Sequence, residues 1–122
     1  MVVVSGAFEL GVEPPVEVVQ FSGAMAGPSQ VSLRLTNAAA TPLAWKVKVT
    51  DNSLIKISPG AGVLPVGGFA DVTLTAGPLA AAPGPQTVAI ANLPVAEGVN
   101  DPRQAWAGQA EAGKVELEAA FD

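Results

Sequence analysis

Apolar side chains recur at every second position in several short runs of this chain, the period of a half-buried β-strand. The clearest run is LAWKVKV, residues 43–49, which sends Trp45, Val47 and Val49 to one side and Lys46 and Lys48 to the other. Residues 30–36 alternate as well, with Val31, Leu33 and Leu35 inward and Ser32, Arg34 and Thr36 outward. Residues 69–76 place Val72 and Leu74 inward, and residues 87–93 do the same with Val88 and Ile90. Residues 114–121 put Val115, Leu117, Ala119 and Phe121 on one face and Lys114, Glu116 and Glu118 on the other. Shorter strands are expected at 8–12, at 16–21 with Val16, Val18 and Phe21 as core candidates, and at 54–57. Residues 1–7 carry no clear period and read as a weakly paired start.

The segments between these runs are turn-formers. Pro14 and Pro15 cannot donate to a ladder and mark an edge or a switch between sheets. Asp51-Asn52-Ser53 is a polar turn, residues 58–62 form a Pro-Gly corner, and residues 77–85 form a Pro/Ala/Gly loop. One short helix is expected near 101–107: Asn100-Asp101-Pro102 supplies a polar cap and an N-terminal proline, and Gly108 ends it. No helical period is sustained elsewhere. Seven or eight strands with a single helix predict an all-β, immunoglobulin-like sandwich, taken as one domain over residues 1–122, with Trp45 as the largest core anchor.

Composition narrows the chemistry. The chain has 122 residues, 13 Gly, 11 Pro, no Cys and no His, with a net charge of −5. A cysteine-free chain has no disulfide and no thiolate nucleophile. Without His it lacks the usual acid–base group and metal ligand of neutral pH. An acidic balance argues against nucleic acid, and no cluster of basic residues suits an anionic membrane surface. The uncharged run 72–96 is broken by Pro78, Pro83, Pro85 and Pro94, so no membrane span is expected. Met1 is not followed by a basic and then apolar leader, so no secretory signal is expected.

Several groups of side chains are candidates for a site. Glu116 and Glu118 lie two apart and read as a solvated face rather than as paired catalytic carboxylates. Glu13 and Glu17 read the same way. Asp51-Asn52-Ser53 would need further oxygens to hold Ca²⁺. Gly60, Gly62, Gly67 and Gly68 do not form a phosphate-binding loop. No catalytic, metal or cofactor-binding residue is expected. Lys46, Lys48 and Thr50 leave two readings open: a face that meets an acidic or phosphorylated peptide, or solvated lysines that discourage edge pairing.

The central stretch also carries a family likeness. WKVKVT, followed by KISPGAGVLPVGGFADVTL, resembles the major sperm protein (MSP) domain of nematode sperm cytoskeletal proteins and the VAP family. The matching features are an aromatic-Lys-Val-Lys strand, a Pro-x-x-Gly corner at residues 59–62, the pair Val63-Leu64, and a Val-x-Leu strand at residues 72–74. LGVEP at residues 10–14, Phe21, Leu33, Leu35 and Asn37, the helix at 101–106 and the strand at 114–121 extend it over almost the whole chain. The resemblance implies a seven-stranded, PapD-like sandwich and no enzymatic activity. In VAP proteins the strand matching Lys46, Lys48 and Thr50 binds acidic FFAT-type peptides; here Val49 replaces a VAP threonine, and residues 87–92 lack the Lys and Met that complete that groove. No anchor beyond Asp122 is expected. The small Ala/Gly/Pro-rich chain is nearer to sperm-specific MSP-domain proteins, some of which modulate MSP filament assembly in amoeboid motility. That likeness implies a cytoplasmic, cytoskeleton-associated protein whose partner is MSP, its filaments or a second copy, without cofactor or small-molecule substrate. The alternative it leaves is a VAP-like adaptor for acidic peptides.

Overall fold

A computed structural model of the chain describes residues 3–13, 18–23, 26–79 and 86–121. Within them the chain forms ten strands and one helix: β1 (Val3–Gly6), β2 (Leu10–Glu13), β3 (Val18–Phe21), β4 (Ser29–Asn37), β5 (Leu43–Val49), β6 (Ile55–Ser58), β7 (Ala61–Leu64), β8 (Phe69–Ala76), β9 (Gln86–Pro94), α1 (Pro102–Trp106) and β10 (Gly113–Phe121). A six-stranded sheet has the order β1-β10-β9-β5-β7, with β3 also on β10; a four-stranded sheet has the order β2-β4-β8-β6. Every pairing is antiparallel except β3 with β10. The predicted immunoglobulin-like sandwich is therefore what forms.

The alternation explains why the sheets close face to face. Trp45 and Val47 of β5, Val88 and Ile90 of β9, and Val115 and Leu117 of β10 all point into the space between the sheets. Leu33 and Leu35 of β4 and Val72 and Leu74 of β8 meet them from the other side. Trp45 is 1% exposed, and each such aliphatic side chain contributes about 1.5–3 kcal/mol on burial. Val31, Val49, Ala119 and Phe121 are half-buried at the margins of this core.

Three features depart from the sequence expectation. The opening residues, which carry no period, pair as β1 along β10, with Val4 opposite Val115. In β3 the buried pair is Val19 and Phe21, whereas Val18 is 37% exposed; the hydrophobic run VEVV fits either phase, and the pairing with β10 selects one. Phe21 then stacks on Phe121, with centroids 5.3 Å apart. The predicted corner at residues 58–62 is tighter than expected: it yields a strand, β7, from Ala61 onward, so that β6 and β7 lie in different sheets. The peptide bonds before Pro59 and Pro78 are cis. Pro14, Pro15, Val16 and Glu17 lie outside the described residues.

Two buried asparagines hold the crossings between sheets. Asn92 Nδ2 donates to Ala7 O (3.1 Å), and its Oδ1 accepts from Glu9 N (3.0 Å), which fixes the passage from β1 in one sheet to β2 in the other. Gly113 lies beneath this passage, where a Cβ would collide with the Ala7–Phe8 peptide. Asn37 Nδ2 donates toward Thr41 O, Leu64 O and Pro65 O, and its Oδ1 accepts from Ala39 N (2.9 Å). One side chain thus joins the β4–β5 loop to the end of β7.

Candidate protein-binding face

The outward residues of β5 belong to one face of the six-stranded sheet. Antiparallel register sets Lys46 opposite Ala91 and Lys48 opposite Ala89. On the far side of β9, Ala91 is opposite Lys114 and Ala89 is opposite Glu116. The face therefore has a floor of two alanine methyls. Lysines stand along one side, and a lysine and a glutamate along the other. Lys114 Nζ lies 3.4 Å from Glu116 Oε1, in a pair open to solvent on both sides.

Lys46 and Lys48 share this face, as the alternation predicts, but their surroundings differ. Lys48 is exposed. Lys46 is half-buried because α1 packs beside β5 and lays the Trp106 ring under its ammonium, with Nζ 4.1 Å from the ring centroid. Such a cation–π contact is worth about 0.5–1 kcal/mol near a surface. Burial lowers the Lys46 pKa, the like charge of Lys48 adds to this, and Glu111 opposes it. Thr50 is placed differently. Its Oγ1 accepts a hydrogen bond from Thr87 N at 2.8 Å, while its own N donates to Thr87 O at 3.1 Å. The hydroxyl thus closes the end of the β5–β9 ladder.

The helix that covers Lys46 follows from local sequence. Asp101 caps it, with Oδ1 accepting from Arg103 N at 3.0 Å, and Pro102 starts it with a preset φ. Gly108, at φ +68°, turns the chain away after Trp106. Neither the contact nor its geometry is visible in the spacing of residues 46 and 106. The available signal is a tryptophan at the end of a short capped helix.

The other candidate groups among the described residues behave as turns and surface. Asp51 Oδ1 accepts from Ser53 N (2.9 Å) and Ser53 Oγ (2.6 Å), so this carboxylate closes its own turn. Glu116 is half-buried and Glu118 exposed, both on the outer side of β10. Among the described residues no three His, Cys, Asp or Glu side chains gather as metal ligands. No helix among them is long and apolar enough to cross a membrane.

Comparison with known proteins sets this chain in a family. The sequence pattern of the MSP (Major sperm protein) domain matches residues 9–113. No curated protein matches the chain in sequence. Among solved structures, WR4, a C. elegans MSP family member, superposes with a TM-score of 0.78 at 19% identity, over 93% of this chain and 98% of its own. SSP-19, an MSP-domain protein like family member in Caenorhabditis elegans, gives 0.74 at 24% identity, over 90% and 96%. The ASH/PapD-like domain 7 of human CEP192 gives 0.65 at 15% identity, over 93% and 84%. These likenesses establish a shared fold. The match over residues 9–113 goes further: the chain belongs to the MSP (major sperm protein) domain family.

Proposed function

We propose that this chain is a non-enzymatic, cytosolic MSP-domain protein of the nematode sperm cytoskeleton. It acts by protein–protein contact, modulating or supporting MSP filament assembly and amoeboid motility. The observation that carries this reading is the MSP-domain match across residues 9–113. The fold likeness to two C. elegans MSP-family members adds support. The experiment is fibre assembly from purified MSP with and without the chain. A change in growth rate, with the chain co-sedimenting with the fibres, is the expected result. Unchanged growth and a chain left in the supernatant would refute the reading.

A second reading is favoured by one observation: Lys46 and Lys48 share a face above an alanine floor. On that reading the chain is an adaptor that binds an acidic FFAT-type extended segment there, with Thr50 at the strand end. Both lysines would contribute charge, and Lys46 would have to exchange its Trp106 contact for a carboxylate. Titration with an acidic FFAT-like peptide is expected to perturb the Lys46 and Lys48 signals and to fail with the double substitution Lys46→Ala/Lys48→Ala. No binding by the unaltered chain at high micromolar peptide removes this reading and leaves the first untouched.

A further inference from the structure

The edge strand β7, next to β5, presents a second surface. Among the described residues β7 pairs with β5 on one side and with no strand on the other. The phase of that ladder is set by Val47 N, which donates to Gly60 O at 2.9 Å. Residues 60, 62 and 64 therefore turn their peptide groups toward β5. Ala61 and Val63, opposite Lys46 and Ala44, turn theirs to the open edge. Each offers one N–H and one C=O. The opening is bounded at one end by Pro65, which has no N–H.

Two further observations describe what would fit there. No charged residue lies between Lys56 and Asp71, so this edge lacks the charges that commonly block strand pairing. By contrast, the two edges of the four-stranded sheet carry Glu13 on β2 and Lys56 on β6. Beside β7 lies a hollow of about 300 Å³ lined chiefly by Pro42, Val63, Pro65, Val66 and Val99, with Glu97 also in its lining. Val66 is 53% exposed. A residue paired opposite Val63 would project its side chain on the same face as Val63, and so toward this hollow. Glu97, exposed and part of the lining, and the chain's net charge of −5 select a cation beside that side chain.

We propose that β7 and this hollow form a strand-addition site for an extended segment of a partner protein, one with an aliphatic side chain for the hollow and a neighbouring Lys or Arg for Glu97. The site takes basic segments along the open edge of β7, one strand over from the lysine face of β5, where Ala61 stands opposite Lys46.

The test uses the ¹⁵N-labelled full chain and the capped peptide Lys-Thr-Leu-Thr-Val-Lys, with a counterpart in which both lysines are glutamates. The basic peptide is expected to shift the amide signals of Ala61 and Val63 and those of Val66 and Val99. The acidic peptide should bind roughly tenfold more weakly. Val63→Pro removes the edge-facing N–H together with the isopropyl group that lines the hollow; an edge strand tolerates the proline, and the variant should weaken binding by at least a similar roughly tenfold factor while leaving the melting curve intact. Should that variant unfold, Glu97→Lys tests the same site from outside the strand and should reverse the preference between the peptides. The proposal is overturned by silence at Ala61 and Val63 with millimolar basic peptide, by shifts confined to Lys46 and Lys48, or by an unchanged preference in Glu97→Lys. It is also overturned if sedimentation shows the chain dimerising through β7, with Val63→Pro monomeric, because the edge would then belong to a second copy.

Discussion

Single atoms decide several features of this protein. The amide of Asn37 faces three carbonyl oxygens, and only a donor can occupy that place. Asn37→Ala leaves buried carbonyls unpaired and should cost about 2–3 kcal/mol in urea unfolding. Asn37→Asp keeps the shape but aims an oxygen at those carbonyls, so it should cost more than the alanine; an equal or smaller loss would contradict this account. Gly62 is under a steric limit, since a Cβ there would stand 2.8 Å from Trp45 Nε1. Gly62→Ala should destabilise by about 1–3 kcal/mol through overpacking, read as a lower denaturation midpoint. Charge at single residues also sets a pH response. Asp71 accepts from Arg34 Nε at 2.8 Å and Nη2 at 3.2 Å, and this pair holds its carboxyl below the usual carboxylate pKa. A depressed folded pKa stabilises above the unfolded carboxylate value, and that contribution is lost as pH falls through the folded value. Asp71→Asn should therefore flatten the acid end of the stability profile and leave the neutral end nearly parallel to the parent. Both side chains are well exposed, so the effect is small and should fade with added salt.

At the scale of elements, α1 matters beyond its five residues. It is too short to persist by helix propensity and depends on its cap and on packing against β5 and β7. Asp101→Ala should cost about 1 kcal/mol and loosen Trp106 from Lys46. Because Lys46 is held below its ordinary pKa chiefly by burial, the penalty on its charge is full below the folded pKa and disappears as pH rises through the unfolded value. Removing the cover with Trp106→Ala should move the Lys46 titration upward, as followed by the Cε carbon signal. A titration that stays in place would mean that the indole is not what buries the ammonium. The strand elements were legible where one face is dry and the other wet. Residues 43–49 and 69–76 form strands with the predicted bounds, because their alternation admits a single phase. Residues 18–21 did not reveal theirs, because adjacent valines satisfy both phases until β10 supplies a neighbour.

For the whole molecule, connectivity dominates. β1 and β3 both pair with β10 at the opposite end of the chain, and residues 7–9 are tied to Asn92. Nearly all stabilising contacts thus join distant segments, and loop closure must come before their gain. Refolding followed by tryptophan fluorescence should fall in the range of milliseconds to seconds, as for other sandwiches; a major phase in microseconds would contradict it. Trp45 reports from the core, while Trp106 reports on the lysine face. The two are therefore separable with Trp106→Ala.

The order of residues by itself determined that this chain is a sandwich of short strands with one capped helix, and that Trp45, Leu33, Leu35, Val72, Leu74 and Ile90 form its core. Those outcomes depend on local period and turn chemistry, which are written along the chain. It also placed Lys46 and Lys48 on a common face, since that follows from period alone. Only the tertiary structure decided which lysine is free, because Trp106 reaches Lys46 from sixty positions away. It likewise decided that Thr50 closes a ladder and that Ala61 and Val63 face an open edge. Those facts depend on which strand lies beside which, and pairing between distant segments leaves no mark in local sequence.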